Sequence, residues 1–123
     1  QEYVNNSESY STSEVKTNKR WIDNKPIYRK VMSKTLTNDY SESGFDTCFF
    51  GGWDSSNINV LITCKILVKM ANNQTVISEG DSSVINASYN GGNIIYFNWK
   101  TGARSNIVGQ TGYVIAEYTK TTD

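Results

Sequence analysis

Histidine is absent from all 123 residues. That removes the commonest general base, the Ser-His and Cys-His nucleophile pairs, and the usual transition-metal ligand. Cysteine is scarce. Cys48 and Cys64 are too few for a disulfide framework and lack the spacing of a metal site, so they read as small buried thiols rather than a bridge. Proline occurs once, at Pro26, where it cannot donate to a ladder and marks an edge or a strand start. Charge of one sign is missing too: 12 Lys+Arg stand against 12 Asp+Glu, with no block of either. Nothing therefore supplies the field that draws in a polynucleotide or an anionic membrane, and no nucleic-acid partner is expected. The loose basic run Lys16, Lys19, Arg20, Lys25, Arg29, Lys30 and Lys34 reads as a solvated face. No apolar stretch approaches the roughly 20 residues needed to span a bilayer, and no secretory leader opens the chain, so membrane insertion is not expected. The Gly-Gly pairs are not followed by Lys-Ser/Thr, so a phosphate-cradling loop is absent. No cofactor and no metal is implied.

What remains is 37% hydrophobic and 12% aromatic, enough for one domain that buries roughly two-thirds of its unfolded surface. Residues 1–13 are polar and without apolar period, and read as a connecting tether. Residues 14–123 read as a single domain. The chain starts at Gln1 rather than Met, which points to a piece of a longer polypeptide.

Residues 20–36 are strand material with a two-residue turn at Asp23-Asn24, since Asp and Asn tolerate the positive φ a tight hairpin demands. The clearest period lies at 57–70. Ile58, Val60, Ile62, Cys64, Ile66, Val68 and Met70 alternate with Asn59, Leu61, Thr63, Lys65, Leu67 and Lys69, which predicts one long strand with the first set on a core. Leu61 and Leu67 on the opposite side predict a second layer or a neighbouring subunit there. Shorter strands are predicted at 45–50, 74–78, 84–89, 93–100 and 112–120, punctuated by Gly and Asn-Gly turns, with helix nowhere required. The fold class is all-β: an antiparallel β-sandwich or jelly-roll-like domain.

Carboxylate chemistry remains possible. Asp46, Asp54, Glu79 and Asp81 could pair for glycoside cleavage, but acidic residues beside Gly and Ser serve turns, and the chain reads as a non-enzyme. Binding chemistry is better represented. Trp53 follows two glycines and precedes polar residues, and an indole face beside Asp54 is a way to hold a sugar ring. The alternative is that Trp53 folds back as a lid on the sandwich end. Tyr89, Asn90 and Asn93, with Asn98, could form a similar surface. Trp21 and Trp99, inside strand patterns, are expected in the core. Enrichment in Asn, Ser, Tyr and Gly matches adaptable recognition surfaces, although an AT-rich genome produces the same bias.

Tyr10-Ser11-Thr12-Ser13-Glu14-Val15, the stretch from Trp21-Ile22-Asp23-Asn24-Lys25-Pro26 to Ile27-Tyr28-Arg29-Lys30, Lys100-Thr101-Gly102-Ala103-Arg104-Ser105 and the terminal Glu117-Tyr118-Thr119-Lys120-Thr121-Thr122-Asp123 resemble a domain at the C-terminal ends of bacteriophage and prophage tail proteins of Gram-positive bacteria. The likeness runs in order along the chain and is weakest over 41–96. It departs at Asn24, where similar sequences often carry Gly. The resemblance implies a virion component at the tip of a tail fibre or baseplate, assembled as a homotrimer on an upstream tail-fibre shaft, that contacts a polysaccharide or protein of the host cell surface. Its glycan- or receptor-binding residues are expected in loops, at Trp53, Asp54, Tyr89, Asn90 and Asn93. Two other functions remain open: a structural module that trimerises or caps the fibre, and a carbohydrate-binding module of a secreted bacterial enzyme.

Overall fold

A computed structural model describes residues 9–51, 55–78 and 84–123. They form two packed antiparallel sheets, as the alternation of apolar and polar residues predicts. β1 (Val15–Arg20), β2 (Pro26–Thr35), β5 (Ile58–Lys69), β6 (Thr75–Ser78) and β9 (Thr111–Lys120) make sheet A, in the order β1-β2-β9-β5-β6. β3 (Tyr40–Glu42), β4 (Phe45–Phe50), β7 (Ile85–Ser88) and β8 (Ile95–Lys100) make sheet B, in the order β3-β4-β8-β7. The described residues include no helix long and apolar enough to cross a membrane.

The first hairpin follows from its turn residues. Asn24 takes φ 71°, Asn24 N–H bonds to Trp21 O, and the Asp23 carboxylate accepts Lys25 N–H at 3.0 Å. Pro26 opens β2, where no ladder donor is needed. Trp21 stands in the turn and is half-buried rather than in the core, because β1 ends one residue before it. Ile22 at the tip is 91% exposed.

Between the sheets lie Cys48 and Phe50 of β4, Ile85 of β7, Ile95, Phe97 and Trp99 of β8, Ile66, Val68 and Met70 of and after β5, and Val114, Ala116 and Tyr118 of β9. Phe50 stacks on Phe97 at 5.7 Å between centroids and Trp99 meets Phe97 edge-on at 6.2 Å. The Cys48 and Cys64 thiols are free, and burial pushes both up, Cys64 to about 11, which makes them poor nucleophiles.

Two expectations are corrected. β5 does not alternate strictly: its register against β9 slips between Ile58 and Val60 and again between Leu61 and Thr63. Each irregularity uses an extra residue, so the core-packed set in this half is Ile58, Leu61 and Cys64 rather than Ile58, Val60, Ile62 and Cys64. Leu61 thus faces inward, opposite the expected side. A helical segment is also present. A 3₁₀ turn (Thr101–Ala103) runs into one turn of helix, α1 (Arg104–Ile107), which drops Ile107 into the core and brings Arg104 over β4.

Candidate functional site

In sheet B, residues with even and odd parity separate cleanly. Asp46, Cys48, Phe50, Ile85, Ala87, Ile95, Phe97 and Trp99 point inward, and the residues between them form the outer face. Register then aligns one polar row across all four strands: Tyr40 opposite Thr47, Thr47 opposite Asn98, Asn98 opposite Asn86. Hydrogen bonds fix it. Thr47 Oγ1 donates to Asn98 Oδ1 at 2.6 Å, and Asn98 Nδ2 donates to Asn86 Oδ1 at 2.8 Å and to Ser88 Oγ at 3.2 Å. Both amide hydrogens of Asn98 are thereby used, while the Nδ2 group of Asn86 donates to no acceptor among the described residues. Tyr40, 51% exposed, donates its hydroxyl to Glu42 Oε1 at 2.9 Å, a bond that raises the phenol's pKa.

These side chains line a groove of about 380 Å³ with Ser43, Phe45, Thr47, Asn86 and Asn98 along it. On the next row along the strands, Phe49 and Tyr96 sit opposite one another and pack edge to face at 5.6 Å. A polar row bordered by ring faces can take an amphipathic, hydroxyl-rich ligand: rings meet its C–H faces, and fixed amides meet its hydroxyls.

One of the candidate acids, Asp46, does not belong to this face. Asp46, a candidate acid in the sequence, is fully buried on the inner side of β4. It accepts Arg104 Nε at 2.6 Å, Arg104 Nη2 at 2.8 Å, Ser41 Oγ at 2.8 Å, Trp99 Nε1 at 3.0 Å and Thr101 Oγ1 at 3.2 Å. The Arg104 hydrogen bonds, helped by those from Ser41 and Trp99, hold its carboxyl well below the usual range against the opposing effect of burial. A carboxylate so placed anchors β3, β4, β8 and α1 and has no lone pair to spare for a proton transfer.

Of the expected loop site, Trp53 and Asp54 lie outside the described residues, as do Glu79 and Asp81. Tyr89 is half-buried and packs against the core. The Asn90 side chain is turned back on its own loop, where Oδ1 accepts Gly92 N–H at 3.2 Å, and Asn93 is exposed. Asn98 was grouped with these residues but belongs to the sheet, where it meets Thr47 and Asn86. The groove residues the motif reading missed, Tyr40, Glu42, Thr47 and Asn86, carry a signal nonetheless: each alternates with an inward residue of its strand. Comparisons with protein-family models, with curated proteins and with solved structures find no match to this chain.

The outer face of sheet A is different in character. Val31, Leu67, Tyr113 and Ile115 line an apolar cleft of about 320 Å³ against Tyr10, Ser11 and Thr12. The described part of the predicted tether therefore lies on the sheet: Val31 N–H bonds to Ser11 O at 2.9 Å, and Arg29 Nη2 donates to Ser9 O at 3.0 Å. Arg29 corrects the reading of the basic run as solvent-facing. It is 6% exposed, pairs with Glu117 at 3.2 Å, and lies 4.7 Å under the Tyr10 ring.

The two ends of the described chain meet on the inner side of β2 and β9. Tyr118 stacks on Tyr28 and donates to Glu14, and Lys120 pairs with Glu14 and covers the Tyr28 ring at 4.5 Å. The Asp123 carboxylate, with burial, pushes the Tyr28 phenol up to about 12, and burial with the Glu14 bond pushes Tyr118 higher still. Phenols whose folded pKa is raised stabilise the fold fully below their ordinary value of 10 and lose that contribution as pH rises through 10 toward 12. Ultraviolet titration of the native protein is expected to show Tyr28 ionising near 12, and denaturant melts to weaken from pH 10 upward. A Tyr28→Phe variant that melts with the same alkaline slope as the parent rules this out.

Proposed function

We propose that this chain is the terminal receptor-binding module of a phage or phage-like tail fibre or baseplate protein, and that it holds a host cell-surface glycan. The observation that carries the glycan is the row Tyr40-Thr47-Asn98-Asn86 on the open face of sheet B, with its amides fixed and rings on either side. The tail assignment rests on the resemblance at Trp21-Ile22-Asp23-Asn24-Lys25-Pro26 and Glu117-Tyr118-Thr119-Lys120-Thr121-Thr122-Asp123. In that setting the module ends an upstream shaft as a homotrimer in the virion, acts outside the host cell and performs no catalysis. Three weak sites then add by avidity. The site is placed on a sheet face rather than on loop tips, a shift from the loop expectation, because the sheet positions its amides through long-range pairing.

Binding to isolated wall polysaccharides and to whole Gram-positive cells tests the reading. Tyr40→Ala and Asn98→Ala are each expected to weaken binding about tenfold, the size of losing one good polar or ring contact. Tyr40 is exposed, so its variant keeps the fold even if Asn98→Ala does not. Undiminished cell binding by Tyr40→Ala refutes the groove as the site. A purely structural, trimerising role is favoured by a separate observation, the apolar cleft on sheet A. It predicts an oligomer by light scattering with no binding to cells or glycans.

A further inference from the structure

We infer that the sheet B groove takes saccharides without negative charge, and that Glu42 sets this preference; the inference rests on the glycan reading above. The groove is lined by Tyr40, Glu42, Ser43, Phe45, Thr47, Asn86 and Asn98, so its charge comes from a single carboxylate, with no Lys or Arg in the lining. Glu42 Oε1 accepts the Tyr40 hydroxyl at 2.9 Å. That bond places the carboxylate beside the ring on which a sugar would stack. Its second oxygen accepts no hydrogen bond from the described residues and is left to accept one from a ligand hydroxyl.

The other polar groups fit the same ligand. Asn98 has spent both amide hydrogens on Asn86 and Ser88, and Thr47 has spent its hydroxyl hydrogen on Asn98. What the groove offers is therefore acceptors at Glu42 and Thr47, a donor at Asn86 Nδ2 and the Ser43 hydroxyl, which does both. Hydroxyls, which donate and accept, satisfy both kinds. A carboxylate or phosphate only accepts, finds one amide and one hydroxyl to donate to it, and meets Glu42 as a like charge. The cation on this face, Lys100, lies opposite Phe45 in the register and outside the groove lining. Two like charges about 4 Å apart in a water-exposed setting repel enough to change affinity about fivefold. Salt screens that repulsion, since the Debye length falls from roughly 30 Å at 0.01 M to roughly 3 Å at 1 M.

The test uses the full chain and matched pairs of hexose and N-acetylhexosamine oligosaccharides, each neutral oligomer beside the same oligomer oxidised to a carboxylate at C6. Titration calorimetry at low and high sodium chloride is expected to show the neutral member of a bound pair about fivefold tighter at low salt, and the ratio falling toward one at high salt. Glu42→Gln is expected to bring the low-salt ratio near one and to remove its salt dependence. If the oxidised member binds the unaltered chain as tightly as the neutral one, the preference is refuted while the glycan reading stands. A ratio that Glu42→Gln leaves unchanged refutes the role of Glu42. No binding by either member of any pair overturns the glycan reading and this inference with it.

Discussion

Asp46→Ala is expected to destabilise the domain by about 3 kcal/mol and to lower its melting temperature by roughly 12 °C. The magnitude follows from what alanine leaves behind. Asp46 is the shared acceptor for Arg104, Ser41, Trp99 and Thr101, and Trp99 is fully buried, so its indole N–H loses its partner where water cannot replace it. Arg104 is about half exposed and is resolvated easily, so the cost falls on the indole and on the tie between α1 and β4. The effect has a pH signature. A carboxyl held below its ordinary value of 3.8 contributes fully above that value, and the contribution drains away as pH falls from about 4 toward the folded value. Urea melts of both proteins should therefore differ most near neutrality and converge as pH drops below 4. Equal stability of variant and parent at pH 7 would falsify the anchoring role, and a difference that does not shrink in acid would show that the ionised form is not what stabilises.

Much of this architecture is legible in the residues, and the rest is hidden for identifiable reasons. Asp23-Asn24 and Pro26 announce the first hairpin because φ preference and a missing donor are local properties. The length of β5 is readable from its apolar content, but its two register slips are not: in a run where Val60, Leu61 and Ile62 are all apolar, nothing marks which one is carried past its partner. β3 is three exposed residues, Tyr40–Glu42, and exists because β4 supplies its pairing. The groove is hidden for the same reason. Thr47 and Asn98 stand 51 residues apart and are brought together by register, whereas Tyr89-Asn90 drew attention through local composition. Asp46 shows the opposite error: it reads as a candidate acid or a turn residue, and only the arrival of Arg104 from the helical turn after β8 explains its complete burial.

Leu36→Ala is expected to cost about 3 kcal/mol, and Gly112→Ala about 2 kcal/mol, yet the double variant is expected to cost less than the sum by about 1 kcal/mol or more. The two residues compete for one space. Leu36 closes β2 against the loop before β9: its N–H bonds to Gln110 O at 2.8 Å, its carbonyl accepts Gly109 N–H at 2.9 Å, and its side chain is fully buried. A Cβ on Gly112 would stand 2.6 Å from Leu36 Cδ2, 2.8 Å from Cγ and 2.9 Å from Cδ1. Cγ cannot move out of the way without moving the leucine, and the leucine is pinned by both backbone bonds. Glycine at 112 is thus required by packing of the side chain that follows β2 rather than by a turn. Truncating Leu36 opens a cavity at the place where the new methyl arrives, so each change relieves the other. Guanidinium unfolding of the four proteins measures the coupling directly. Strict additivity would mean that Leu36 has another rotamer to adopt, and that the packing between β2 and β9 is looser than the contact between these two residues implies.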